Sequence, residues 1–307
     1  MKHRISNWII LLGAVSFGMS ACGTNKSPSS PNPAIPVPPS YSLAAFFGNS
    51  GTVPMDTPMG VGISGNTLWV GNNYASGLQA WTLGGSLSLS VTAYNSNTLK
   101  PWGVTVGPDG YIYAGDCNLY QIVEFGPTGK YANVFGNAQM GSSNPSGIVV
   151  DATDAYVCTQ QISGQIFHYT IGGSGSSKTF SYQNSFGTSG AGALVLPRGI
   201  CLSGGNLWVA DTANNRLVEF NTAGVFQMAV PLQSFGSPSA VVVDSFGNLI
   251  AADTMHSEIQ VFNSSGNPVT TFGTADLLVP MALSLDSANN LYVADDAAEQ
   301  VVVFKRN

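Results

Sequence analysis

Residues 197–220 read PRGICLSGGNLWVADTANNRLVEF. Three short apolar runs, Gly199–Leu202, Leu207–Ala210 and Leu217–Phe220, are divided by turns rich in Gly, Asn and Asp. Alternating runs bounded by such residues are strands joined by tight turns. The scheme returns in residues 238–262, with Val241-Val242-Val243-Asp244, Gly247-Asn248-Leu249 and Asp253-Thr254. It returns again in 280–304, with Leu283-Ser284-Leu285-Asp286, Asn290–Asp295 and Val301–Phe304. Weaker copies begin at Pro58, Pro101 and Pro145, so the six anchoring prolines lie 43, 44, 52, 41 and 42 residues apart. A fourth run ends in Phe-Gly at Phe135-Gly136, Phe186-Gly187, Phe235-Gly236 and Phe272-Gly273.

A lone four-stranded sheet leaves both faces uncovered. Packing each unit face-on against its neighbours around an axis covers them, so a repeat of this length reads as propeller blades. Six copies predict an all-β, six-bladed β-propeller over residues 41–307. The sixth copy stops three residues after Phe304 without a fourth strand, and Tyr41–Gly48 reads as a fourth strand with nothing ahead of it. Pairing of residues 41–48 into the last blade is therefore expected to close the ring and satisfy an open edge. An open solenoid would instead need polar capping units, which are not visible.

The units resemble the NHL repeat, whose pattern runs Pro-x-Gly-Ile/Val-x-Val-Asp, then Gly-Asn-Leu-Tyr-Val-Ala-Asp, then Ser/Thr-x-Asn-x-Arg-Ile/Val. The best copy is Pro197 to Phe220, including Asp211–Arg216. Copies one to three are eroded, with Gly71-Asn72, Gly115-Asp116 and Cys158-Thr159 where Ala-Asp is expected. The resemblance implies a six-bladed propeller. Such propellers serve as binding modules and as metal-dependent lyases and lactonases, so it leaves the function open.

Only 8% of the 307 residues are charged, against 36 Gly and 17 Pro. That balance excludes a charged disordered tail or a Lys/Glu-rich coiled coil. Lys2, His3 and Arg4 precede an apolar run from Trp8 to Met19, followed by Ser20-Ala21-Cys22. Cations, a short apolar stretch and small residues form a secretory signal, too short to span a bilayer. Met19-Ser20-Ala21-Cys22 resembles the bacterial lipoprotein signal, which implies residues 1–21 as signal peptide and lipidation at Cys22. Residues 22–40, rich in Pro and Ser, read as a tether that cannot bury apolar area. Removing Lys2 and Arg4 from the 10 basic residues leaves eight against 16 acidic, net −8. That charge disfavours nucleic acid and anionic headgroups, so the membrane is reached only through the lipid. Gly23 lacks the Asp associated with inner-membrane retention, implying the outer membrane in a two-membrane bacterium.

In a blade, the loop entering the innermost strand and the turn between strands two and three share one face. Residues after the anchor prolines therefore ring the channel mouth: Met59, Trp102, Ser146, Arg198, Ser239 and Met281. Trp102 and Arg198 offer a stacking surface and a fixed cation. The bland alternative is that Trp102 and the two Met plug the axis while Arg198 pairs with a nearby acid. The insertion Gly172 to Leu196 is expected on the same face, as a wall or lid. Tyr74, Trp81, Tyr94, Tyr120 and Tyr169, set among uncharged polar groups, suit a saccharide, peptide or protein partner unless they pack between blades.

The acids at second-strand ends, Asp116, Asp211, Asp253, Asp295 and Asp296, are expected to accept backbone N–H groups of adjoining turns. Asn72, Asp116, Asp253, His256 and Asp295 are the metal candidates, a Ca²⁺ site if the oxygens converge. One histidine without a Glu or Cys partner makes a poor transition-metal site. Glu124, Glu219, Glu258 and Glu299 fall in or next to third strands, away from the axis. Cys158 and Cys201 sit on neighbouring blades, placed either to pair or to act as small buried hydrophobes. The sequence thus predicts an exported, lipid-anchored, monomeric propeller that binds an envelope protein, peptide or saccharide, with no assigned catalytic residue. A metal-dependent lyase or lactonase-like enzyme acting at the channel mouth is the alternative.

Overall fold

The structure is a computed structural model that describes residues 38–48, 54–74 and 77–307. The expected signal peptide, Cys22 and most of the tether lie outside the described residues. Among the described residues no helix is long and apolar enough to cross a membrane.

Six four-stranded antiparallel sheets form the propeller. Their innermost strands are Pro58–Ser64, Pro101–Val106, Pro145–Val150, Ile200–Ser203, Pro238–Val243 and Pro280–Leu285, in blades one to six. Second strands run Thr67–Asn72, Ile112–Asp116, Asp154–Thr159, Asn206–Asp211, Leu249–Asp253 and Leu291–Asp295. Third and fourth strands follow outward in chain order in the first five blades.

The sixth blade is closed by the other end of the chain. Tyr41–Phe47 pairs antiparallel with Gln300–Arg306, with Tyr41 opposite Arg306, Phe47 opposite Val301 and a register shift between Leu43 and Ala45. The Asn307 N–H also donates to the Ser40 carbonyl at 3.0 Å. This strand fastens three blades. Tyr41 stacks on Phe272 of blade five with centroids 4.7 Å apart, and Phe47 meets Trp81 of blade one at 5.7 Å. The expected closure is what the fold shows.

The core is distributed as six apolar clusters, one at each blade interface. Second strands are buried because both of their faces meet a neighbouring sheet; Leu249–Asp253 and Leu291–Asp295 are buried throughout. That explains their Ala- and Val-rich composition. Around the axis the sheets come so close that the glycine of the Pro-x-Gly signature has no room for a side chain. A Cβ on Gly103 would lie 2.6 Å from the Ser146 carbonyl oxygen, and one on Gly199 2.6 Å from Ala240 Cα.

Two sequence expectations are corrected. Phe235 does not end a fourth strand. That strand of blade four stops at Pro231, which lacks a ladder N–H, and Phe235 falls in a short 3₁₀ turn, Gln233–Phe235. The insertion Gly172 to Leu196 is only partly on the expected face. Residues 187–196 run on the mouth face, where the Leu196 N–H donates to the Gln161 carbonyl at 2.8 Å and the Val195 N–H to Asp211 at 2.7 Å. The first half lengthens the outer hairpin of blade three, Gln165–Gly172 against Thr179–Phe186, whose tip reaches the face opposite the channel mouth. There Lys178 is held by Asp109 and Glu124 of blade two.

Candidate functional site

Met59, Trp102, Ser146, Arg198, Ser239 and Met281 all border one axial cavity of about 290 Å³, walled by the innermost strands of all six blades. They sit at one rim because each follows, or stands opposite, an anchor proline at the start of an inner strand. Toward the other end the wall is aliphatic: Ile63, Val106, Val149, Leu202, Val243 and Leu285.

The six do not play one part. The Ser146 hydroxyl donates to the Pro197 carbonyl of the next blade at 2.8 Å, and the Ser239 hydroxyl to the Pro280 carbonyl at 2.6 Å. Thr212 makes the equivalent link to Pro238 at 2.7 Å. Both serines are buried, and their hydroxyls join sheets instead of facing a ligand. The close approach of the inner strands puts a neighbouring carbonyl within reach of a short side chain. As ligand contacts, Ser146 and Ser239 are therefore corrected to structural residues.

Arg198 is the cation of the mouth. From blade four its Nη1 reaches Met281 Sδ of blade six at 3.4 Å. Its Nε and Nη2 reach the Gln160 side-chain oxygen at 2.9 and 3.3 Å when that amide is turned to offer its oxygen. No carboxylate of the described residues forms an ion pair with it, so the expected pairing with a nearby acid does not occur. Burial pulls the Arg198 pKa down, opposed by the more distant charge of Asp296. The Asp296 carboxyl is pushed up, first by its own burial and then by repulsion from Asp295, with Arg198 opposing. Trp102 is half-buried and Met281 buried on the cavity wall. Gln160 had no legible signal, since it lies one residue past the second strand of the most eroded copy.

The metal candidates are engaged by the fold. Asn72 accepts the Asp56 N–H, Asp116 the Lys100 and Asn118 N–H groups, and Asp295 the Leu278 and Val279 N–H groups, at 2.7 to 3.2 Å. Each ties the loop entering an inner strand to the end of the second strand, as expected of a repeated carboxylate or amide. None of these three belongs to a cluster of possible ligands. Asp253, His256 and Glu258 do gather, with one potential ligand atom each within 4.8 Å of the others. Glu258 was missed as a partner, although it stands opposite Asp253 in the strand register. Yet Asp253 already accepts from Ser237 and Met255 N–H, from Gln260 Nε2 and from His256 Nδ1, at 2.8 to 3.0 Å. Its four lone-pair positions are filled, so the donor set does not fit a resident metal ion. The hydrogen bond to Asp253 raises the His256 pKa.

The remaining candidates resolve by burial. Trp81, Tyr94 and Tyr169 pack between sheets, whereas Tyr74 is exposed. Cys117, Cys158 and Cys201 are free thiols, and Cys158 donates to the Arg198 carbonyl at 3.0 Å.

The NHL repeat family model matches residues 194–220. No curated protein matches the chain. Among solved structures, a streptogramin B lyase is similar over 86% of this chain and 98% of its own, with 14% identity and a TM-score of 0.64. A catalytically inactive histidine-to-alanine variant of virginiamycin B lyase from Staphylococcus aureus, with quinupristin, covers 87% of each chain at 15% identity and a TM-score of 0.62. A gluconolactonase from Xanthomonas campestris covers 82% of this chain and 87% of its own, at 13% identity and a TM-score of 0.63. Identities this low speak for the shared fold alone. The protein is a six-bladed β-propeller whose fourth blade carries an NHL repeat.

Proposed function

We propose that the protein is an exported propeller, lipid-anchored through Cys22 at the cell envelope, that binds a ligand or partner at its axial mouth. One observation carries the reading: a cavity of about 290 Å³ on the axis, rimmed by Trp102, Arg198, Met59 and Met281 and lined by no acid or histidine among the described residues. Such a wall offers grip and orientation but no general base. A ligand-observed NMR screen with the full chain tests it. Hits are expected to disappear in M281W, which fills the cavity; hits that survive M281W overturn the axial site. The anchor has its own test: C22A should move the protein from the membrane to the soluble fraction.

A metal-dependent lyase or lactonase-like enzyme is the second reading. Among the described residues only Asp253, His256 and Glu258 bring ligand atoms together, and a metal there would have to displace the hydrogen bonds that fill Asp253. The inactive virginiamycin B lyase variant ties that protein's catalysis to a histidine, whereas neither His168 nor His256 borders the cavity here. His168 is bonded to Asp154 at 2.6 Å on blade three. Stoichiometric Ca²⁺ or Zn²⁺ in elemental analysis of the purified protein would overturn the binding reading in favour of the enzyme.

A further inference from the structure

Apart from the Cys201 thiol, Arg198 is the one ionisable side chain on the wall of the axial cavity. A guanidinium carries five N–H donors in a planar fork. Here Nε and Nη2 share the Gln160 oxygen, and one Nη1 hydrogen meets a thioether, which is a weak acceptor. Two donors have no acceptor among the described residues. A half-buried cation with an amide and a sulfur for partners lacks the counter-charge that normally offsets its desolvation. Three other buried or half-buried cations have one: Lys178 has Asp109 and Glu124, Arg216 has Asp211, and Arg306 has Asp244, whereas the half-buried Lys100 forms no ion pair among the described residues. Arg198 lacks such a partner on the wall of the axial cavity.

The cavity also limits what the guest can be. Its volume of about 290 Å³ lies at the lower end for small-molecule sites, too small for an oligosaccharide or a folded partner to enter. Trp102, Met59 and Met281 border the space beside the guanidinium, and beyond them the wall is aliphatic. A single arginine with no lysine beside it matches one negative charge rather than a phosphate dianion.

Resting on the axial-binding reading, we propose that the cavity takes a small amphipathic carboxylate, its anion on the free edge of the Arg198 guanidinium and its apolar or aromatic body against Trp102, Met59 and Met281. The Asp296 carboxylate, whose charge acts on Arg198 from beyond ion-pair distance, is the intramolecular competitor of that anion.

Isothermal titration of the full chain with indole-3-acetate and with its neutral amide, indole-3-acetamide, tests the assignment. The acid is expected to bind at least ten-fold more tightly than the amide. R198Q should abolish the difference, and D296N should tighten the acid several-fold while leaving the amide unchanged. D296N keeps the test independent of whether R198Q folds. Equal binding of acid and amide to the unaltered protein, or a preference for the acid that survives R198Q, overturns the carboxylate assignment while axial binding stands. A D296N variant that does not tighten the acid overturns the competition. If neither probe binds and no neutral aromatic compound does, axial binding itself fails.

Discussion

The carboxylate of Asp295 holds the N–H groups of Leu278 and Val279 at 2.7 and 2.8 Å in a wholly buried position. Asp295→Ala strands both donors, and leaving a buried donor unmade costs about 1–3 kcal/mol each. Thermal unfolding of D295A should therefore show a loss of roughly 2–4 kcal/mol with the secondary structure retained. The sequence made this role legible, because a side chain that recurs at the same place in several copies serves the repeat. Blade three shows what erosion costs: Thr159 replaces the acid, and its buried hydroxyl has no partner among the described residues. The roles of Ser146, Ser239 and Arg198 were less legible. Their position at the mouth followed from the anchor prolines, but which way each side chain turns depends on carbonyls and an amide of other blades, far away in sequence.

At the scale of elements, the long outer hairpin of blade three is secured by a cluster without counterpart in the repeat. Lys178 Nζ lies 2.7 Å from Glu124 Oε1 and 2.8 Å from the Tyr113 hydroxyl, with the Tyr111 ring 3.8 Å away. Burial alone would lower the Lys178 pKa, but its bonds to Asp109, Glu124 and Tyr113 outweigh that and raise it. Glu124 is wholly buried, and its second oxygen has no partner among the described residues. Breaking a buried pair costs roughly 3–5 kcal/mol, whereas replacing both members with apolar groups is often neutral. K178M is expected to lose about 3 kcal/mol in chemical denaturation, and K178M/E124M to recover most of it. A double variant as unstable as the single one would assign the stability to the tyrosine contacts instead. No periodic pattern announces this pairing, since Lys178 lies in the insertion and Glu124 in an ordinary third strand. The same blindness led the sequence reading to put the whole insertion on the mouth face, where only its last residues, 187–196, run: chain length was visible, but the lengthening of two outer strands was not.

The whole molecule depends on its seam. Arg306, on the strand that receives the N-terminal strand, donates to Asp244 of blade five at 2.5 Å and lies over the Phe246 ring at 4.2 Å. Burial would raise the Asp244 pKa, but hydrogen bonds from Asn248, Arg306 and Phe246 N–H prevail and lower it. A carboxyl with a depressed folded pKa contributes stability that is present above its unfolded value, about 3.9, and is lost as pH falls through the folded value. The melting temperature should therefore drop below about pH 4, and D244N should flatten that part of the profile at the expense of stability near neutrality. Deleting residues 1–48 removes the strand facing Val301 to Arg306 and bares an apolar edge. Lower melting temperature, dye binding and association by light scattering are expected; an unchanged melt would mean that the ring holds without its clasp. Six copies, the last of them short of its fourth strand, and an unpaired strand ahead of the first made this closure readable from the sequence.

Because Tyr41–Phe47 seats on Gln300–Arg306, a strand made early in synthesis is satisfied only by one made much later. A nascent chain still on the ribosome holds an unmatched strand for the time taken to add more than 250 residues, and contacts of such separation are slow to form. Completion of the native state must therefore await synthesis of the sixth blade, and anything that handles the chain before then meets a free, aromatic-bearing β-segment.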